Sequence, residues 1–323
     1  MFAAFTLLAY AQPSMPATPD PLDEDATKLA ELFGGDTSEK FIAVDKDVNL
    51  SLCVTQGNLK INGWSRDEVR VFVKHGAKFG FAVQLKSSKS GLPALLKITG
   101  LETKGKYSIA GECIWGDEIE IDVPVNSIVN IKGKETKTTI DTVRKTSVDT
   151  IGGDIILRNV GGGIKASTGQ GDITVEDSEG AMMLESTTGN ILVFNARPGE
   201  IGDMFKARTN GGNISLQNME HRQIEANSIS GSVFYSGTIL NGGTYLLGTS
   251  NGSLKLSIPA DTSCLVMASY GFGTFDAELP LKLLTENIAE GPVKSQTVAL
   301  GAGAKDTTVK LTTNSGSIVI KRL

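Results

Sequence analysis

From about residue 145 onward the apolar and polar positions follow two superposed periods, one of two residues and one near twenty. Each long period contains a Gly-[Asp/Asn/Ser]-aliphatic unit. Its glycines are Gly153, Gly171, Gly189, Gly212, Gly231, Gly252 and Gly316, spaced by 18, 18, 23, 19, 21 and then 64 residues. Two and four residues after each glycine stand apolar side chains, among them Ile155/Leu157, Ile173/Val175, Ile191/Val193 and Ile318/Ile320. A period of two places both on one face of a strand, which is the inside. Thr174, Leu192, Ser215, Phe234 and Lys255, lying between them, face outward. A fixed period near 20 is the mark of a stacked repeat. Helical repeats fail because no copy carries a 3.6-residue period. A β-sandwich is the competing architecture, but it predicts strands every ~8–12 residues without a shared turn sequence.

The pattern is looser upstream. Val44, Val48, Leu50, Leu52 and Val54 mark strand character, Gly57-Asn58 makes a turn, and residues 54–61 read as an outlying copy of the repeat. Segment 68–74 (EVRVFVK) puts Val69, Val71 and Val73 on one face, and segment 118–123 (EIEIDV) ends at Pro124. The 64-residue interval implies an insertion or degenerate coils between about residues 269 and 306. Four prolines in 12–21 make a linker. Residues 22–33 form the one credible helix, with Asp20 as cap, Pro21 in the first turn and Gly34-Gly35 at its end. Its apolar stripe, Leu22, Ala26, Leu29 and Phe33, suits it to cover an open end of the β-structure.

The expected fold is therefore all-β: a single-stranded β-solenoid, or β-helix, with coils of about 18–23 residues and a short N-terminal helix capping one end. The right-handed form is expected, although nothing in the repeat encodes the hand. The domain division is 1–11 signal peptide, 12–40 linker and helix, and 41–323 solenoid, with regular coils at about 145–257. An 18-residue coil has a perimeter of at most ~60 Å at ~3.3 Å per residue, so its bore is a packed core, not a channel. Glycine at the corner permits close backbone approach, and the Asp, Asn or Ser after it can bond neighbouring backbone. Polar runs before the turns (Ser167-Thr168, Ser186-Thr187-Thr188, Thr209-Asn210, Asn227-Ser228) should stack as hydroxyl and amide ladders.

Composition sharpens this picture. The chain has 37 glycines in 323 residues and only 6% aromatics, which suits tight turns around an aliphatic core. A net charge of -5 without a basic cluster argues against nucleic acid as a partner. Nothing is long and apolar enough to span a bilayer. Residues 1–11 (MFAAFTLLAYA) are apolar and end in Ala9-Tyr10-Ala11, the small-x-small pattern of a signal peptidase site. No Lys or Arg precedes the run, so a start placed too far downstream, or a disordered apolar terminus, remains open. Cys53, Cys113 and Cys264 lack zinc-ligand spacing. Their simplest role is as small buried hydrophobes, while a Cys53–Cys113 disulfide, suggested by location in one subregion, would leave a free thiol.

Candidate chemistry is sparse. His75 and His221 are the two histidines, and neither lies near a Ser or Cys nucleophile in the sequence. Residues 100–107 come within one position of a phosphate-binding loop, but Tyr107 stands where a magnesium-binding hydroxyl belongs. Gly271-Phe272-Gly273 lacks the third glycine of a dinucleotide fingerprint and reads as a turn. Asp154 and Asp172 occupy equivalent turn positions of adjacent coils, and stacked carboxylates could hold Ca²⁺ or act on a glycan. Asn190, Asn213, Ser232 and Ser253 fill the same slot later, which favours interchangeable turn formers. No catalytic residue, cofactor or firm metal site is expected.

Three stretches resemble a bacterial adhesin-like family of secreted or envelope-associated β-helical repeat domains of otherwise unknown function. They are residues 58–69 (NLKINGWSRDEV), 119–124 (IEIDVP), and 300–304 (LGAGA) followed by 309–320 (VKLTTNSGSIVI). The resemblance covers about 41–323 and implies binding, with no catalytic residues to carry over. The expected function is thus a non-enzymatic, exported module, periplasmic, surface-bound or secreted, presenting stacked strands to a glycan or protein of the envelope. A polysaccharide lyase or hydrolase is the alternative by fold analogy alone. An envelope-stress regulatory component is a third reading.

Overall fold

The computed structural model describes residues 37–84, 95–104, 107–200, 202–288, 293–302 and 306–323. The expected signal peptide and capping helix lie outside these residues. The compact unit begins at Asp36, and its first strand, Thr37–Ala43, starts slightly earlier than the sequence pattern indicated. Every regular element among the described residues is a β-strand.

Each coil contributes two strands joined at the turn glycine. The strand before the glycine belongs to a leading face, and the strand after it to a trailing face. On the leading face Lys145–Gly152, Ile164–Gln170, Met182–Thr188, Met204–Gly211, Gln223–Ser230 and Thr244–Asn251 pair in parallel, each with the next. On the trailing face Ile155–Arg158, Ile173–Glu179, Ile191–Arg197, Ile214–Met219, Val233–Ser236 and Leu254–Ile258 do the same. The register joins like with like: Ile155 to Ile173 to Ile191 to Ile214 to Val233 to Leu254. These residues are buried. The core is a set of continuous aliphatic columns, each side chain removed from water by the coils above and below. Thr174, Leu192, Ser215 and Phe234 form the half-buried outward column that the period of two predicts.

The order of coils departs from the order of the chain at both ends. After Leu254–Ile258 the chain forms a further coil, Cys264–Phe272 and Phe275–Ala277, whose turn glycine is Gly273. The last strands, Thr308–Ser315 and Ile318–Arg322, then slot between that coil and the one before it. An antiparallel pair, Leu281–Ile288 and Lys294–Leu300, closes this end. The long interval therefore holds one more genuine coil plus a cap, and Gly271-Phe272-Gly273 is a turn in the same column as the others. The N-terminal end repeats the device. Strand Asn49–Trp64 lies between Ile128–Asp141 on one side and the strands Leu95–Lys104 and Ile114–Pro124 on the other. Glu68–Gly76 and Thr37–Ala43 then add in antiparallel sense, with Val69, Val71 and Val73 buried as the alternation predicts. Parallel-paired strands thus also lie on either side of the regular stretch at 145–257.

A disulfide joins Cys53 to Cys113 with a Cα–Cα distance of 4.5 Å and a sequence separation of 60. This corrects the simpler reading of these two cysteines as buried thiols; Cys264 is the buried free thiol. The bond ties the inserted strand Asn49–Trp64 to the cap beyond it. Closing a loop of that length restricts the unfolded chain by on the order of 4 kcal/mol in the chain-entropy treatment.

Candidate functional site

The turn column explains what the Gly-[Asp/Asn/Ser] unit does. The Asp154 carboxylate accepts from the backbone N–H of Asp172 at 3.0 Å, and Asp172 accepts from Asn190 N–H at 2.7 Å. The series continues with Asn190 to Asn213 at 2.9 Å, Asn213 to Ser232 at 2.8 Å and Ser232 to Ser253 at 3.2 Å. Each side chain therefore caps the backbone of the next coil, not its own turn. This is why Asp, Asn and Ser interchange: the position needs a short acceptor, and a charge is optional. The structure brings Asp154 and Asp172 together as expected, and uses their carboxylates as caps. No group of three or more His, Cys, Asp or Glu suited to a metal occurs among the described residues.

The expected hydroxyl ladder is present and points inward. Thr168, Ser186, Thr209, Ser228 and Thr249 are buried, and each hydroxyl donates to the turn glycine carbonyl of the preceding coil at 2.7–3.2 Å. These side chains satisfy carbonyls that the corner would otherwise bury unpaired. A second column at the far corner uses left-handed residues. Asn159, Asp177, Asn195 and Asn218 have φ near +50°, and Asn195 and Asn218 donate to the side chains of Asp177 and Asn195 at 2.8 Å. Asn and Asp tolerate this conformation best among residues with a side chain.

The other sequence candidates separate in space. His75 is exposed and meets Asp117 at 3.1 Å. His221 is fully buried, with Nε2 2.9 Å from the Gly180 carbonyl and no partner for Nδ1, and burial lowers its pKa. Burial pushes the Cys264 thiol up to about 11, away from the thiolate that nucleophilic chemistry needs. Residues 95–104 pair antiparallel with 107–112, so the near-miss phosphate loop is flanked by two strands, not by a strand and a helix.

The surface with most chemical content is the outside of the leading face, which reading forward from the glycines overlooked. Three depressions adjoin there. One of 560 Å³ is lined by Lys97, Lys132, Asp149, Lys165 and Glu185 among others. The next, of 510 Å³, shares Lys165 and reaches Met183 and Met204. A third, of 530 Å³, shares Met204 and runs to Arg222, Glu225 and Leu246. Together they form one trough along the stack, roughly 40 Å long at ~4.8 Å per coil. Six cations (Lys97, Lys132, Lys145, Lys165, Lys206, Arg222) line it against four carboxylates (Asp149, Glu185, Asp203, Glu225). The trough thus carries a cationic excess on a chain of net charge -5. Glu225 bridges Arg208 at 2.5 Å and Lys206 at 3.3 Å, and the Arg208 guanidinium holds its carboxyl below the ordinary range. The trailing face carries few charges in its central column, of which Lys255 lies over Phe234 at 5.2 Å. Applying the period of two backward from each glycine marks Lys165, Glu185 and Arg208 as outward, so the signal was present in the sequence.

No family model matches the chain, and no curated protein matches it. Among solved structures, a putative cell adhesion protein from Clostridium sporogenes is similar over 89% of this chain and 100% of that one, at 10% identity and a TM-score of 0.29. A likeness that loose adds nothing to the fold or the site. The family resemblance accordingly rests on the three sequence stretches alone.

Proposed function

We propose that this protein is an exported, adhesin-like binding module that holds an extended glycan or protein of the envelope in the leading-face trough. The observation that carries the reading is the trough itself, whose three depressions follow one another along successive coils and meet at Lys165 and Met204. A ligand lying along the stack would meet an outward side chain from each coil in turn, the recognition mode of repeat proteins generally. The Cys53–Cys113 disulfide supports export, because such bonds persist in oxidising compartments. The same trough favours one competitor. Asp149 and Glu185 share it with Lys132 and Lys165, a mix of acids and bases that a polysaccharide-cleaving enzyme could use.

A glycan array combined with a cleavage screen on the purified chain separates the two. The binding reading expects retention of at least one ligand without turnover. It also expects Lys132→Glu with Lys165→Glu to weaken retention roughly tenfold or more, while Lys255→Glu on the trailing face has little effect. Turnover of any polysaccharide, or equal sensitivity of the two faces, overturns it.

A further inference from the structure

The geometry points to a second binding site, for a neutral pyranose, at the N-terminal turn corner around Trp115. It is separate from the trough and does not depend on it. The chain has two tryptophans, and they are treated differently. The Trp64 indole N–H donates to the Glu68 carbonyl at 2.8 Å, and Arg66 covers its ring at 4.9 Å. Trp115 is 52% exposed. A depression of 830 Å³ lies against it, lined by Gln56, Asn58, Asp117, Glu135 and Lys137 over a floor that includes Gly57, Gly116 and Gly153. Leaving so large an apolar ring in water costs free energy that burial would recover.

The backbone beneath the ring is more elaborate than stacking requires. Strand Asn49–Trp64 shifts register twice against Ile114–Pro124, between Val54 and Gln56 and between Gln56 and Asn58. Irregularities of this kind re-aim side chains and concentrate beside functional sites. A Cβ on Gly57 would fall 1.8 Å from the Gly116 carbonyl oxygen, and one on Gly76 would fall 2.2 Å from that of Trp115. The Trp115 carbonyl also accepts from Ala77 N–H at 2.7 Å, and Cys113, two residues earlier, is anchored by the disulfide. The backbone that presents the indole is therefore held by both neighbouring strands and the disulfide, so no backbone ordering is needed when a ligand stacks on the ring.

The surrounding groups define the ligand. A flat aromatic plate suits the C–H face of a sugar ring. The amides of Gln56 and Asn58 supply donors and acceptors, and the carboxylates of Asp117 and Glu135 suit hydroxyl donors. Asn58 Nδ2 already donates to the Asp117 carbonyl at 3.2 Å, which fixes the amide with its oxygen free to accept. The depression sets two carboxylates against one lysine, and Asp117 also meets His75 at 3.1 Å, so it offers no cationic excess to an anionic ligand. A neutral hexose or N-acetylhexosamine unit meets all of these conditions.

The test titrates the full chain with cellohexaose, xylohexaose and N-acetylchitohexaose, read by calorimetry and tryptophan emission. At least one should bind saturably and shift the emission. Trp115→Ala should weaken that binding roughly tenfold or more, with Trp115→Phe retaining part of it, because an exposed aromatic anchor dominates such contacts. Gln56→Ala, which leaves the backbone and ring in place, should weaken it several-fold, and it decides the matter if Trp115→Ala fails to fold. Lys255→Glu on the trailing face, which lines neither the trough nor this depression, should change nothing. Failure of all three oligosaccharides to bind, or wild-type affinity in both site variants, overturns the proposal while leaving the trough reading intact.

Discussion

Gly189→Ala is expected to destabilise the protein by more than about 3 kcal/mol and to yield little folded material, although it adds a single methyl group. The added Cβ would lie 2.0 Å from the Gly171 carbonyl oxygen and 2.5 Å from its carbon. Those atoms are backbone, so no side chain can turn aside. Relief requires the two coils to part, which breaks Gly171 N–H to Thr188 O at 3.0 Å and Ser186 Oγ to Gly171 O at 3.0 Å. The next glycine up, Gly212, sits 2.1 Å from Gly189 by the same measure, so the disturbance has nowhere to dissipate. Gly161→Ala is the control. A Cβ there meets nothing within 4 Å, and the change should alter stability by less than about 1 kcal/mol. Chemical denaturation of the two variants beside the parent measures both.

Ile191→Asp is the second large effect. Ile191 is fully buried in the trailing-face column, between Ile173 and Ile214. Aspartate there loses the apolar contact and either ionises without a partner or takes up a proton, and the combined cost exceeds about 5 kcal/mol. Soluble expression should be lost, and Ile173→Asp should behave alike. Thr174→Asp, one residue along from Ile173 and pointing outward, should express normally. Soluble yield and thermal melting of the three variants check the assignment, and equal tolerance would contradict it.

These two changes rest on features that were legible in the sequence. The glycine spacing located the corners, and the alternating aliphatics identified the inside. The pre-turn hydroxyls were recognisable as a ladder, though not as donors to glycine carbonyls one coil away. The stacking order at the ends was not legible, for a physical reason. Gly252-Ser253-Leu254 and Gly316-Ser317-Ile318 present the same turn and the same inward aliphatics, so either could lie on any neighbour. Gly273-Thr274-Phe275 escaped alignment because Thr and Phe replace the usual cap and aliphatic, although it sits in the same column. The Cys53–Cys113 pairing was suggested by location in one subregion, whereas the insertion of strands that brings the two together is recorded by no local pattern. The chemistry was hidden by frame. Counting forward from each glycine samples the trailing face, whereas the charged trough lies on the strands before it. Trp115 was missed because strand character was read only from Glu118 onward; in the structure the strand starts at Ile114, and Trp115 turns outward between buried Ile114 and Gly116.

The central claim is a stack of coils whose last strands are threaded between earlier ones, leaving outward columns that run unbroken along the molecule. Paired cysteines on the trailing face test it directly. Lys255 is partnered with Val319, and Val319 with Asp276, so Lys255 and Asp276 are separated by the inserted strand. Parallel neighbours at ~4.8 Å lie within disulfide reach, and strands two steps apart do not. Mild oxidation of Lys255→Cys/Val319→Cys and of Val319→Cys/Asp276→Cys should form the cross-link in high yield, and Lys255→Cys/Asp276→Cys should not form it. Efficient cross-linking of the third pair with failure of the first would mean that coils stack in chain order and would contradict the account.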